Sequence, residues 1–124
     1  MWNFTTDRPV YLQIVDEIIA RIAGGVYKPG ERIPSVRELA EEARVTPNTM
    51  QKALAEVERG GYLISLRTSG KFVTEDVSHI RALTDTRLDT LIADLVSELG
   101  RIGVPVSEAV KKLEEYDRER NRDQ

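Results

Sequence analysis

Two helix starts stand close together in this chain, at Ser35 and Thr46, and they limit the possible folds more than any other feature. Ser35-Val36-Arg37-Glu38 has the spacing of a capping box, in which the serine hydroxyl and the glutamate carboxylate each satisfy a free backbone amide of the first turn. Thr46-Pro47 places an N-cap residue before a proline whose missing N–H costs nothing at the first helical position. The helix begun at Ser35 must therefore be short and end near Arg44, burying Val36, Leu39, Ala40 and Ala43. The next helix is expected to run to about Arg59, with Met50, Ala53, Leu54 and Val57 on its apolar face and Gly60-Gly61 at its end. Two short helices joined by a tight turn make Ser35 to Lys52 a helix-turn-helix.

The flanking sequence enlarges this unit. From Pro9 to Ala23 the apolar residues Ile14, Ile18 and Ile22, with Val15 and Ile19 beside them, form one helical face that stops at Gly24-Gly25. Pro29-Gly30 marks a turn. Trp2 and Phe4 are expected to pack on a helix. Tyr62 to Leu66 and Lys71 to Thr74 have the composition of two short strands, with Arg67-Thr68-Ser69-Gly70 as the hairpin tip. Helix, helix, helix, hairpin is the order of a winged helix-turn-helix, here assigned to residues 1–76.

Beyond Val77 the pattern changes to a helical segment, residues 77–124. Leu88, Ile92, Leu95, Leu99 and Ile102 recur at alternating four- and three-residue spacing, a short heptad seam that Leu91 and Val96 widen. Gly100, Gly103 and Pro105 are expected to break it. Ser107 is placed to cap a last helix bearing Val106, Val110, Leu113 and Tyr116, and the charged tail Asp117 to Gln124 is expected to fray. The expected fold class is mostly α (α+β): a winged helix-turn-helix followed by two helices. One neighbouring helix cannot cover Leu88, Leu91, Ile92, Leu95, Val96, Leu99 and Ile102 together. These residues, with Val110, Leu113 and Tyr116, are therefore expected to form a homodimer interface, the alternative being a stripe folded back on its own domain. The segment leaves room for two helices and no enclosed pocket.

Composition narrows the function classes. The chain has no cysteine and a single histidine, His79, so no metal or cofactor site is expected and His79 has the look of an ordinary surface or core residue. Glu41-Glu42 and Glu114-Glu115 are solvated helix faces, and neither glycine pair forms a phosphate-binding motif, which argues against an enzyme. There is no apolar run of about 18 residues and no secretion signal, which favours the cytoplasm. Net charge is −3, and residues 1–76 hold 10 Lys and Arg against 11 Asp and Glu. Any nucleic-acid binding must rest on a local basic cluster.

A helix-turn-helix sets the N-terminal turn of its second helix against DNA. Thr46, Pro47, Asn48 and Thr49 occupy that turn, and the face away from Met50, Leu54 and Val57 carries Asn48, Gln51, Lys52 and Ala55. Asn and Gln can pair with adenine, and Lys can reach guanine or phosphate. Ser35, Arg37 and the wing residues Arg67, Thr68, Ser69, Gly70 and Lys71 complete the candidate DNA-binding set, with Arg44 as a further cation. Each has a plainer reading. Ser35 and Thr46 serve as caps only, Asn48 and Gln51 as solvated surface, Arg37 as a partner of Glu41, and the hairpin as a structural or protein-contacting element.

The run Pro29-Gly30-Glu31-Arg32-Ile33-Pro34-Ser35-Val36-Arg37-Glu38-Leu39-Ala40 resembles the signature of the GntR family of bacterial regulators. So do Val45 to Leu54, Leu63, Gly70-Lys71-Phe72-Val73 and the upstream Pro9 to Ile14. The resemblance implies a winged helix-turn-helix homodimer on a near-palindromic double-stranded DNA operator, with Arg37, Thr46, Asn48, Thr49 and the wing at Gly70 in contact. Many members carry Arg where this chain has Pro47, and Pro47-Asn48-Thr49 resembles the YtrA-type branch instead. Thr68-Ser69-Gly70-Lys71 also departs from the commoner Arg-Gly-x-Gly wing. The branch implies a repressor of a neighbouring transport operon and of its own gene. A small-molecule effector would have to sit between the domains or at the dimer cleft, and the sequence identifies none. The rival is a winged-helix module that binds protein.

Overall fold

The apolar stripes of three helices meet to build the core on which everything else is mounted. The structure, a computed structural model, describes residues 2–122. Its elements are α1 (Val10–Ala23), α2 (Val36–Ala43), α3 (Pro47–Arg59), β1 (Leu63–Leu66), β2 (Gly70–Val73), α4 (Val77–Arg101) and α5 (Val106–Arg122). Ile14, Ile18 and Ile22 of α1 lie against Met50, Ala53, Leu54 and Val57 of α3, and Leu39, Ala40 and Ala43 of α2 close the side. Each large side chain buried here contributes about 1.5–3 kcal/mol. Trp2 and Phe4 pack on this core, where the Arg21 guanidinium lies 4.6 Å from the Trp2 ring centre and bonds Glu17, Glu42 and Tyr27.

Local chemistry sets the helix limits. Ser35 Oγ accepts from the Glu38 amide at 3.1 Å, and Glu38 Oε1 accepts from the Ser35 amide at 3.0 Å, closing the capping box. Those bonds to Ser35 hold the Glu38 carboxyl below its usual pKa. Arg44 ends α2 in the left-handed region at φ 59°, alone among the described non-glycine residues. That conformation costs an L-residue about 1–2 kcal/mol, and it turns the chain at once into α3.

The β1–β2 hairpin, the wing, pairs Leu63 with Val73, Ser65 with Lys71 and Leu66 with Gly70. Strand alternation sends Leu63 and Val73 into the core. Gly70, expected in the hairpin tip, instead opens β2, and Thr74 lies beyond the strand. Pro29-Gly30 does more than turn. The Gly30 amide donates to the Val73 carbonyl, the Val73 amide to that of Glu31, and the Ile33 amide to that of Lys71, at 2.9–3.0 Å. Residues 30–33 thus run along β2 as a third, irregular strand, bridging at Arg32 and Phe72.

The C-terminal limits differ from expectation in three places. α4 continues through Gly100 to Arg101, because one helical glycine costs only about 1 kcal/mol. α5 begins at Val106 with the Pro105 carbonyl accepting the first helical bonds, so Ser107 lies inside the first turn and not at the cap. α5 also extends to Arg122 across the stretch expected to fray, with Asp117 facing Arg120 and Asn121 one turn on. Asp123 and Gln124 of that tail lie outside the described residues. The packing forms two compact units, one up to Thr84 and one from Asp85 onward. No helix among the described residues is long and apolar enough to cross a membrane.

Candidate nucleic-acid interface

The N-terminal turn of α3 is open to solvent at Thr46, Pro47 and Asn48. Thr46 Oγ1 accepts from the Thr49 amide at 3.3 Å, and the two threonine hydroxyls share a hydrogen bond at 2.9 Å. Ser35 and Thr46 are therefore occupied as caps. Such a helix end carries a partial positive charge and suits phosphate. Asn48, Gln51, Lys52 and Ala55 are exposed along one side of α3, while Met50, Ala53, Leu54 and Val57 are buried on the other. Lys52 is held in place: its Nζ lies 3.9 Å from the centre of the Tyr11 ring of α1, a contact worth about 0.5–1 kcal/mol at an exposed site.

The ion pairs resolve the awkward charge count. Of the ten cations in residues 1–76, four are neutralised within the chain: Arg8 by Asp16, Arg21 by Glu17 and Glu42, Arg59 by Glu56 and Lys71 by Glu58. Among the described residues Lys28, Arg32, Arg37, Arg44, Lys52 and Arg67 form no ion pair, and the Arg37–Glu41 pair weighed from the sequence is not made. Arg37 stands on the first turn of α2, Arg44 at the α2–α3 turn, Lys52 on α3 and Arg67 in the wing loop. Four of these six cations thus stand on α2, the α2–α3 turn, α3 and the wing loop, although the unit as a whole is not basic.

In the wing, Arg67, Thr68 and Ser69 form an exposed three-residue loop closed by the Ser69 amide on the Leu66 carbonyl at 3.1 Å. Gly70 has φ +98°, and a Cβ there would stand 3.0 Å from Arg32 Nε. Arg32 therefore packs over the base of the wing, a placement that no local sequence signal announces. Lys71 is not a free phosphate-binding cation. Its side chain is only 17% exposed and its Nζ reaches Glu58 Oε1 and Ser65 Oγ, both at 2.8 Å. Lys71, then Ser65, hold the Glu58 carboxyl below its usual pKa. The lysine ties the wing to α3.

The second unit presents an apolar face. Leu88, Leu91, Ile92, Leu95 and Val96 on α4, Ile102 just beyond its end, and Val110, Leu113 and Tyr116 on α5 are 40–68% exposed, and of the expected set only Leu99 is buried. Leu99, Ile102, Val104, Ala109, Leu113 and Tyr116 line an open, mostly apolar cleft within that unit.

Residues 10–73 match the family described as bacterial regulatory proteins, gntR family. The chain is 31% identical to the HTH-type transcriptional regulator YhcF of Bacillus subtilis, over 92% of this chain and 94% of that one. It is 41% identical to the HTH-type transcriptional repressor YtrA of the same organism over 68 residues, 55% of this chain and 52% of the repressor. Among solved structures, a GntR family transcriptional regulator from Listeria monocytogenes superposes with a TM-score of 0.81 at 33% identity, covering 90% of this chain and 98% of that one. The AraR DNA-binding domain in complex with an operator superposes with a TM-score of 0.56 at 29% identity, covering 60% and 95%.

Proposed function

The chain belongs to the GntR family of bacterial regulatory proteins and is a DNA-binding transcription regulator; on that premise we propose that it is a repressor, acting as a homodimer on a near-palindromic operator. The observation that carries the proposal is the exposed N-terminal turn of α3, flanked on α2, the α2–α3 turn and the wing by cations with no acidic partner. Residues 1–76 form the DNA-binding domain. Asn48 and Gln51 read bases, Lys52 and Arg37 reach base or phosphate, and Thr46, Thr49, Pro47 and Ser35 bring helix ends to the backbone. Arg67, Thr68, Ser69 and Gly70 touch the adjacent groove, with Lys71 bracing them.

Residues 77–124 form the dimerisation segment, through the exposed face of α4 and α5. Leaving so many large apolar side chains in water is costly, and a second copy of the same face removes them from it. The dimer sets two reading helices about 34–36 Å apart, on successive major grooves. Binding over a promoter excludes polymerase. The repressor YtrA is among the relatives, in keeping with repression; in this reading the targets are a neighbouring transport operon and the regulator's own gene, in the cytoplasm, and a small-molecule effector would act by changing the separation of the two heads.

Selection from a random duplex library, followed by gel-shift titration and sedimentation, tests this reading. A near-palindrome bound by two chains is expected, with an affinity that falls steeply as salt rises. Asn48→Ala should lower affinity for that duplex by about 1–3 kcal/mol and relax one base position. A monomer at micromolar concentration sinks the dimer. A flat salt response with no selected duplex would return the winged unit to protein binding.

A further inference from the structure

We propose that His79 is a positioning residue for DNA recognition: it latches the first turn of α4 to the C-terminal end of the reading helix α3. The proposal rests on the homodimer reading above, because its consequence is the half-site spacing that a pair of heads accepts.

His79 is the chain's one histidine, and nothing in DNA contact or in the apolar face uses it. Its Nε2 lies 2.6 Å from the carbonyl oxygen of Gly60, the C-cap of α3. Carbonyls at a helix C-terminus lack intrahelical donors and carry partial negative charge, so an external N–H is well placed there. The imidazole also stacks on Tyr62, with ring centres 4.5 Å apart and planes 19° from parallel. Gly60 and Gly61, which the sequence presents only as a helix stop, leave room for both rings. A Cβ on Gly60 would stand 2.9 Å from Tyr62 Cε2, and one on Gly61 3.1 Å from His79 Nε2.

The backbone that carries the ring is fixed as well. The His79 amide donates to Asp76 Oδ1 at 3.1 Å, and the Asp76 amide donates to Oγ1 of the buried Thr74 at 3.1 Å. The Thr74 amide in turn donates to the Tyr62 carbonyl at 3.0 Å. Ile80, next along α4, is buried in the core. The end of α3, the start and finish of the wing and the first turn of α4 therefore meet around one imidazole. Because its partner is a carbonyl, Nε2 must carry the proton. α3 is a rigid rod of about 20 Å at 1.5 Å per residue, with the latch at one end and the reading turn at the other. α4 itself runs from Val77 to Arg101.

Two measurements on the full chain test the latch. Nitrogen-15 spectra of the lone imidazole in its neutral form should show protonated Nε2, unprotonated Nδ1, and a ring N–H slow enough in solvent exchange to be observed. An Nδ1–H tautomer, or a freely exchanging ring, overturns the latch whatever the DNA results. The second measurement uses a duplex selected by the wild-type chain, the same duplex with one or two base pairs added at its centre, and a single half-site. The wild type should prefer the selected spacing by about tenfold or more. His79→Phe, which keeps the ring and loses the donor, should flatten that preference while half-site affinity stays within about twofold. His79→Gln, whose amide donates from a similar reach, should restore it. An unchanged spacing profile in His79→Phe, or equal losses on the half-site and the full duplex, overturns the proposal. If thermal melting shows His79→Phe unfolded, Tyr62→Leu, which removes the stack, is scored by the same criteria. A wild-type chain that binds one and two half-sites alike overturns the homodimer reading instead.

Discussion

Thr46 has two roles, and substitution can separate them. Its hydroxyl caps α3, and its position places it where a phosphate would approach. Thr46→Ala removes the cap and should cost about 1 kcal/mol in denaturant-induced unfolding, with a matching loss in binding. Thr46→Asp keeps a good cap and suits the helix dipole, so the melting temperature should hold or rise while duplex affinity collapses from charge repulsion. Binding that survives Thr46→Asp would move the DNA away from this end of α3. Contacts of this kind were legible in the sequence because they are local: Ser35 with Glu38 and Thr46 with Thr49 lie within one turn. Lys52 on Tyr11 and Arg32 over Gly70 were not, since each joins residues that only the folded core brings together.

Among the elements, the wing depends on a brace that spans the hairpin and α3. Glu58 accepts from Lys71 and Ser65, and its carboxyl titrates below the ordinary value of 4.5 because of those partners. A depressed folded pKa means that the stabilisation is complete above the unfolded value and disappears as pH falls through the folded one. Protection of the Ser65 to Lys71 amides, taken relative to their intrinsic exchange rate at each pH, should therefore fall selectively below about pH 4.5 in the wild type, and Glu58→Gln should abolish that dependence. Wing amides that remain protected in acid would argue against the brace. The same geometry separates two cations: Arg67→Ala should lower the salt slope by about one, and Lys71→Ala should weaken binding with the slope unchanged. The sequence made the three core helices and the hairpin legible because each carries its own periodicity and stop signals. The strand-like run of residues 30–33 has no alternation to betray it, as its pairing with β2 is made by main-chain bonds. The continuation of α4 past Gly100 and of α5 to Arg122 lay beyond single-residue stop signals, whose cost a long helix absorbs.

At the scale of the whole molecule, the homodimer proposed above would make assembly, through the apolar face of α4 and α5, and recognition one event. Leu91→Lys should leave the winged unit folded, since its core includes no residue of that face, and give a monomer by sedimentation. Full-duplex affinity should drop to that of a half-site. A dimer that survives Leu91→Lys together with Leu95→Lys would place the interface elsewhere. The ion pairing of Arg8, Arg21, Arg59 and Lys71 also bears on how such a regulator finds its target. Each phosphate that a free cation neutralises adds to the grip on random DNA as much as on the operator. With four of the ten cations of residues 1–76 paired within the chain and a net charge of −3, the proposed regulator should have little attraction for the rest of the chromosome. Genomic competitors would then sequester few copies, and a modest population of the proposed dimers would be enough to keep an operator filled.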